Sequence, residues 1–380
     1  MTIPTIQNAF THPLHVGRPN IGDRTVLLER INAMLDRRWL SNNGPFVQEF
    51  ERCVADYLGV KNCVAMCNAT VALEIASRAL GLKGEVIIPS FTFIATAHAL
   101  QWQGITPIFA DIDPITHNID PATIECLITP RTTGIIGVHL WGRGCNTEAI
   151  ENIAAKYGLK VMYDASHGFG CSRGGAMLGT FGACEVFSFH ATKFINCFEG
   201  GMVATDDNEI AEKIRLMRNF GFQDFDKVSY LGLNGKMSEV CAAMGLTSFD
   251  AINEIIAANK RNYQAYKRGL ANLPEVSIID YAPQERNNYQ YVVIEIDSNI
   301  SKSLRDEVVA TLHAEKVMAR KYFWPGCHRM EPYQTTQPDA WKQLFQTERI
   351  AARVIVLPTG QTMDEKNIDL VCEIIRRALK

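Results

Sequence analysis

The chain has 380 residues, of which 38 are basic and 41 acidic, and its net charge is −3. This balance argues against a nucleic-acid partner, because there is no basic excess to attract phosphates. Hydrophobic residues make up 47% and charged residues 21%, which excludes a mostly disordered chain. At roughly 150 residues per domain, the length predicts about two domains.

The sequence predicts neither a membrane anchor nor a secreted, metal-bound protein. It contains no run of about 18 apolar residues, and residues 1–14 lack a charged stretch followed by an apolar core. The 11 cysteines form no CxxC pair, so buried free thiols in a reducing compartment are expected. No histidine–cysteine group has zinc spacing. We therefore expect a cytoplasmic enzyme without a metal ion.

Short apolar runs alternate with helical patterns along the first two thirds of the chain. The runs at residues 85–90, 135–140 and 159–164 read as strands, and residues 146–157 read as a helix. Continuous apolar strands between helices are typical of a parallel sheet buried on both faces. The fold class is therefore predicted to be α/β with right-handed crossovers.

The last third has a different pattern. A long helix is predicted at residues 250–270, a strand with one exposed face at 289–297, and a second helix at 303–315. Thr362 and Glu365 form a capping box ahead of a final helix. The apolar residues of that helix recur at Ile368, Val371, Ile375 and Leu379.

These patterns predict two domains. Residues 1–245 would form a large α/β domain with a mostly parallel central sheet. Residues 246–380 would form a smaller C-terminal α+β domain. Ligands of such sheets bind at the carboxyl ends of the strands, where four polar clusters are expected: residues 68–70, Ser90, Asp164 and residues 188–193.

Lys193 lies in the most informative segment, residues 188–201 (SFHATKFINCFEGG). An exposed lysine is the ordinary interpretation. A lysine among apolar residues loses solvation, which lowers the pKa of its amine and favours Schiff-base chemistry. The segment by itself leaves both interpretations open.

Asp164 follows an apolar strand in the segment VMYDASHGFG. It is either a cap or turn aspartate or the partner of a protonated ring nitrogen, such as that of pyridoxal phosphate (PLP). His167 would contact a cofactor or would be a hydrogen-bonded structural histidine.

Residues 67–80 (CNATVALEIASRAL) predict a helix that begins near Thr70. Its first amides would bind a phosphate, or Asn68 or Thr70 would simply cap the helix. Phe93 would stack on a flat ring or lie in the core. The chain has no GxxxxGK[ST] loop and no convincing GxGxxG motif, which argues against nucleoside triphosphatases and NAD-binding enzymes.

Taken together, these segments resemble the DegT/DnrJ/EryC1/StrS family of PLP-dependent sugar aminotransferases, within PLP fold type I. The resemblance runs nearly end to end, and the lysine segment is its most specific part. The other matching segments are residues 39–50 (WLSNNGPFVQEF), 109–121, 138–142 (VHLWG), 232–245 and 322–333 (YFWPGCHRMEPY).

The resemblance implies that PLP is the cofactor. Lys193 would bind it as a Schiff base, Asp164 would pair with the pyridine nitrogen, and His167 would lie by the phenolic oxygen. The phosphate would contact Ala69, Thr70 and Ser188, and Phe93 would stack on the ring.

The resemblance also implies a homodimer, in which Asn234 reaches the phosphate of the neighbouring subunit. His328 would lie near the sugar pocket. The chain departs from the family pattern at Gly235 and Lys236, where a bulky residue and an arginine are usual.

The implied reaction is ping-pong transamination from L-glutamate to a nucleotide-linked keto sugar, expected to be dTDP-4-keto-6-deoxyglucose. The amino sugar would serve lipopolysaccharide O-antigen, another glycan or a natural product. One alternative is an aminotransferase that acts on a keto-cyclitol or another free ketose. Others are an NAD-dependent nucleotide-sugar oxidoreductase and a non-catalytic PLP-binding homologue.

Overall fold

The computed structural model describes residues 9–297 and 303–380, which form twelve α-helices and sixteen strands. The helices are α1 (Arg24–Arg37), α2 (Pro45–Leu58), α3 (Ala69–Ala79), α4 (Ile94–Gln101), α5 (Thr147–Tyr157), α6 (Asn208–Met217), α7 (Glu239–Asp250), α8 (Ile252–Leu270), α9 (Leu304–Ala314), α10 (Tyr333–Thr336), α11 (Phe345–Ala351) and α12 (Glu365–Ala378). The strands are β1 (Leu14–His15), β2 (Asn62–Met66), β3 (Glu85–Pro89), β4 (Thr106–Ala110), β5 (Thr132–Val138), β6 (Lys160–Asp164), β7 (Ser172–Arg173), β8 (Ala176–Met177), β9 (Glu185–Ser188), β10 (Gly201–Thr205), β11 (Phe222–Asp224), β12 (Lys227–Val228), β13 (Val276–Ile278), β14 (Val292–Ile296), β15 (Val317–Met318) and β16 (Val354–Leu357).

A seven-stranded sheet has the strand order β2-β10-β9-β6-β5-β3-β4. We refer to this sheet and the helices that pack on it as the large domain. Strand β10 is antiparallel to both of its neighbours, and the remaining pairs are parallel. The three strands predicted from apolar runs are β3, β5 and β6, which lie side by side. The α/β class and the mostly parallel sheet are therefore confirmed.

Both faces of this sheet are covered, which explains why its strands are continuously apolar. Val86 and Ile88 of β3 pack into one core with α3 and α4, whereas Ile87 faces a second core with α5. All three side chains are fully buried. Burying one isoleucine in this way contributes about 1.5–3 kcal/mol.

The helix predicted at residues 250–270 is preceded by a separate helix. It is α8, and α7 meets it at a bend of 62°. The predicted domain boundary at residue 245 falls inside α7, whose Ala242 and Leu246 pack in the large-domain core beside Phe50 of α2. Among the described residues no single helix is long and apolar enough to cross a membrane, although the bent pair α7–α8 meets that length and composition together.

A second sheet, β13-β14-β16, is antiparallel. We refer to this sheet and the helices α8, α9 and α12 that pack with it as the small domain. Strand β14 was expected to have an exposed face, and this expectation was wrong. Val292, Ile294 and Ile296 pack with α8, α9 and α12, whereas Val293 packs against large-domain side chains. Both faces are covered because the second face docks on the large domain.

Two further expectations differ from the structure. Residues 9–15 were placed in the large domain, but Phe10 lies in the small-domain core and β1 pairs with β15. The capping box of Thr362 and Glu365 was also wrong. Helix α12 begins at Glu365, and Asp364 is its N-cap, accepting a hydrogen bond from the Asn367 amide at 2.8 Å.

All 11 cysteines lie in the described part of the chain and are free thiols. Cys126 is exposed, and seven others are buried. Burial raises the pKa of several, to about 12 in Cys171 and Cys184, which keeps these thiols protonated.

Candidate active site

A cavity of about 290 Å³ opens at the carboxyl ends of the central strands. It brings together side chains from the ends of five strands and from the edge of the small domain. Seven residues expected from the sequence line it: Ala69, Thr70, Phe93, Asp164, His167, Ser188 and Lys193. Three of the four predicted polar clusters thus converge, whereas Ser90 contacts His328 instead.

The turn between β2 and α3 forms one end of the cavity. Asn68 caps α3 by accepting a hydrogen bond from the Val71 amide at 2.8 Å, so the capping interpretation holds for this residue. The first helical residues, Ala69 and Thr70, line the cavity, where amides of a helix N-terminus favour an anion. Gly201 permits this arrangement, because a Cβ there would lie 2.5 Å from the Asn68 backbone.

Asp164 ends β6 and is nearly fully buried, at 4% exposure. Its carboxylate accepts hydrogen bonds from Thr96 Oγ1 at 2.8 Å, from Ser166 Oγ at 2.6 Å and from the Ser166 amide at 3.0 Å. Asp164 therefore closes a local turn and also presents a firmly oriented negative charge to the cavity. Thr96 and Ser166 were not anticipated from the sequence.

Lys193 extends into the cavity from the loop after β9. Its Nζ donates a hydrogen bond to the Tyr291 hydroxyl at 3.2 Å. Burial lowers the pKa of the amine to about 8, and the negative charge of Asp164 opposes that shift. About a tenth of the amine is then neutral at pH 7 and available as a nucleophile.

His167 packs in an aromatic group beside the cavity. Its ring is stacked on Trp141 with centroids 5.7 Å apart, and its Nδ1 accepts a hydrogen bond from the Trp141 amide. Burial, assisted by the charge of Lys193, holds the pKa of His167 well below its usual value. The imidazole is therefore neutral at pH 7.

Aromatic side chains form the rest of the wall. Phe93 is 57% exposed at the rim, so it is not a core phenylalanine. The small domain contributes Tyr291, Tyr322 and Phe323, which sequence reasoning did not assign to the site. The sequence offered two segments in which to look for them. Tyr291 lies in the predicted strand 289–297, and Tyr322 and Phe323 lie in residues 322–333, which resemble a family segment.

Two expected site residues lie outside this cavity. Asn234 is exposed and pairs with Asn219 in a short backbone bridge. His328 is buried, with its ring nitrogens 2.7 Å from Ser90 Oγ and 2.6 Å from Glu348 Oε1. The structure thus places His328 in the contact between the two domains rather than in the cavity wall.

The cavity fits PLP by the chemistry of its side chains. The α3 N-terminus, Thr70 and Ser188 match a phosphate, and the Asp164 carboxylate matches a protonated ring nitrogen. Lys193 supplies an amine of lowered pKa for an aldehyde. Within the described residues no group of three or more His, Cys, Asp or Glu side chains could hold a metal ion.

Comparisons with known proteins show the family of this chain. Residues 23–376 match the DegT/DnrJ/EryC1/StrS aminotransferase family. A dTDP-4-amino-4,6-dideoxy-D-glucose transaminase of Shigella dysenteriae is 36% identical over 96% of this chain and 98% of its own length. A GDP-perosamine synthase of Caulobacter vibrioides is 35% identical over 91% of this chain and 93% of its own.

A solved structure is similar over nearly the whole fold. The crystal structure of DesI in the presence of its TDP-sugar product is 50% identical, with a TM-score of 0.93, and the match covers 98% of this chain and 94% of DesI. The fold and the site define a PLP-dependent transferase of fold type I.

The chain belongs to the DegT/DnrJ/EryC1/StrS aminotransferase family. It is a PLP-dependent aminotransferase.

Proposed function

We propose that this enzyme transfers the amino group of L-glutamate to C4 of dTDP-4-keto-6-deoxyglucose. The product would be dTDP-4-amino-4,6-dideoxyglucose. The observation that carries the aminotransferase chemistry is the meeting of Lys193 and Asp164 in one cavity at the α3 N-terminus. The choice of sugar is supported by the Shigella dysenteriae relative and by DesI.

We propose the following residue roles. PLP, when bound, withdraws electrons from the substrate carbon that carries the amino group. Asp164 holds a negative charge beside the ring. Lys193 Nζ, once free, accepts a proton from the substrate and returns it, and a pKa near 8 suits both transfers. Phe93, Tyr322 and Phe323 exclude water from these steps.

The direct test is a defined reaction with purified enzyme. Incubation with dTDP-4-keto-6-deoxyglucose and L-glutamate should give a dTDP-amino sugar and 2-oxoglutarate, detected by mass spectrometry. A keto-cyclitol or a free ketose in place of the nucleotide sugar should give no amine. Turnover of those acceptors alone would favour the alternative substrate class, and no amino sugar from any acceptor would refute the proposal.

We also propose a homodimer in which Asn234 completes the site of the other subunit. The support is that the segment leading to Asn234 exposes apolar side chains, since Phe225 is 95% and Leu231 70% exposed. Mixing Lys193→Ala and Asn234→Ala subunits should then restore about a quarter of the wild-type activity, because half of the random dimers hold one intact site. No recovery on mixing, with subunit exchange verified, would contradict the shared site.

A further inference from the structure

Tyr291 is the side chain in direct contact with the amine of Lys193. Its hydroxyl lies 3.2 Å from Nζ and accepts a hydrogen bond from it. The two residues come from different domains, since Lys193 follows β9 and Tyr291 precedes β14. The geometry points to Tyr291 as the residue that positions the Lys193 amine for attack on the cofactor aldehyde and for proton transfer.

The tyrosine itself is held firmly. Its ring is 4.2 Å from the ring of His167 and 5.3 Å from that of Trp141, measured between centroids. Tyr281 donates a hydrogen bond from its hydroxyl to the Tyr291 carbonyl at 2.8 Å. Because the ring and the backbone are both fixed, the hydroxyl has little freedom to leave Nζ.

A hydroxyl suits both forms of the amine. It accepts a hydrogen bond from the ammonium ion and donates one to the lone pair of the neutral amine. Burial raises the pKa of Tyr291 well above its usual value, so the hydroxyl keeps its proton. Lys193 therefore keeps the same hydrogen-bond partner before and after it gains a proton.

This inference rests on the proposed role of Lys193, and its test measures capture of the aldehyde rather than turnover. In capture, Nζ forms a double bond to the aldehyde carbon, while the aldehyde oxygen and the two amine protons leave as water. Apoenzymes of the wild type, Tyr291→Phe and Tyr333→Phe would be mixed with PLP and followed by absorbance. Borohydride reduction and peptide mapping would then identify the modified lysine.

Tyr333→Phe is the matched control. Its hydroxyl is buried without a hydrogen-bond partner among the described residues, and its ring packs on Phe109 away from the cavity. Both variants keep their aromatic ring, so the packing is preserved, and circular dichroism would verify the fold. Binding of 4-deoxypyridoxine 5-phosphate, which lacks the aldehyde, measures the rest of the cofactor site separately.

We expect capture to be about tenfold slower in Tyr291→Phe, since a hydrogen bond to a charged group is lost. The dissociation constant of the aldehyde-free analogue should stay within about twofold, and Tyr333→Phe should match the wild type in both measurements. Capture at the wild-type rate, or an equally large loss of analogue binding, would overturn the positioning role. If borohydride fails to label Lys193 in the wild type, the proposed function itself fails.

Discussion

The ionisation of Lys193 is set by two opposing influences at the scale of single residues. Burial favours the neutral amine, and the negative charge of Asp164 favours the ammonium ion. Because burial is the larger influence, the pKa in the folded protein is about 8 against 10.5 for an ordinary lysine. Below pH 8 both the folded and the unfolded chain carry the charge, so the folded state bears its full cost. This cost disappears as the pH rises from 8 to 10.5, because the folded protein loses the proton before the unfolded chain does. The free energy of unfolding of the apoprotein should therefore increase as the pH rises through that range.

We predict that acetylation of Lys193 in the apoenzyme reaches half its maximal rate near pH 8. Mass spectrometry of peptides after brief acetic anhydride treatment would measure it, with the protein in urea as the control. A midpoint shared by the folded and the unfolded protein would show that the site does not depress the pKa.

Asp164 offers a second prediction at this scale. Asp164→Asn keeps the size and most hydrogen bonds of the side chain but removes the charge. We expect the half-reaction with glutamate to slow by about 100-fold or more, while Lys193 still captures PLP. Stopped-flow absorbance would follow both steps, and a half-reaction at the wild-type rate would rule out the electrostatic role.

At the scale of elements, the start of the last helix depends on one side chain. The Asp364 carboxylate accepts a hydrogen bond from the Asn367 amide. It also places a negative charge at the N-terminus of α12, the positive end of the helix dipole. Thr362 precedes this N-cap by two residues, and the helix begins only at Glu365. The choice between neighbouring capping residues follows from the path by which the chain enters the helix.

We predict that Asp364→Ala lowers the free energy of unfolding by about 1 kcal/mol. Thr362→Ala is the matched control and should change it by less than about 0.5 kcal/mol. Urea unfolding followed by circular dichroism would measure both variants. If Thr362→Ala lowered the free energy of unfolding more than Asp364→Ala, Thr362 would be the residue that caps the helix.

At the scale of the whole molecule, hydrogen bonds join the ends of two central strands to the small domain. Ser90, directly after β3, forms a hydrogen bond with His328. Asp111, directly after β4, accepts a hydrogen bond from the Thr347 amide at 2.7 Å. Tyr322 and Phe323 lie between β14 and His328 along the chain, and both line the cavity. The relative position of the domains therefore shapes the site.

We expect His328→Ala to act on stability. It should lower the free energy of unfolding by about 2–4 kcal/mol, because the buried Ser90 hydroxyl loses the imidazole nitrogen and keeps only the backbone amide of residue 328, and because a cavity forms. His98→Ala, at an exposed position, should cost less than about 0.5 kcal/mol. Calorimetry would compare the two variants. A large rise in KM for the nucleotide sugar with unchanged stability would instead return His328 to the sugar pocket.

The sequence alone was sufficient for the parallel sheet and for seven cavity residues. Apolar runs such as residues 85–90 specify strands that are buried on both faces, and polar residues directly after such strands meet at one edge. Lys193 and Asp164 could be found in this way because each lies within a local pattern or family segment.

Only the tertiary structure decided which distant side chains touch. Tyr291 lies 98 positions from Lys193 along the chain, and the segment that contains it, residues 289–297, has the alternating pattern of a strand with one exposed face. Periodicity reports which residues share a face but not what covers that face. The same limit applies to His328. Its segment resembles the family segment near the sugar pocket, but the side chain lies in the contact between the two domains. Contacts between distant segments depend on how the two domains pack against each other. The local pattern of apolar and polar residues does not specify that packing.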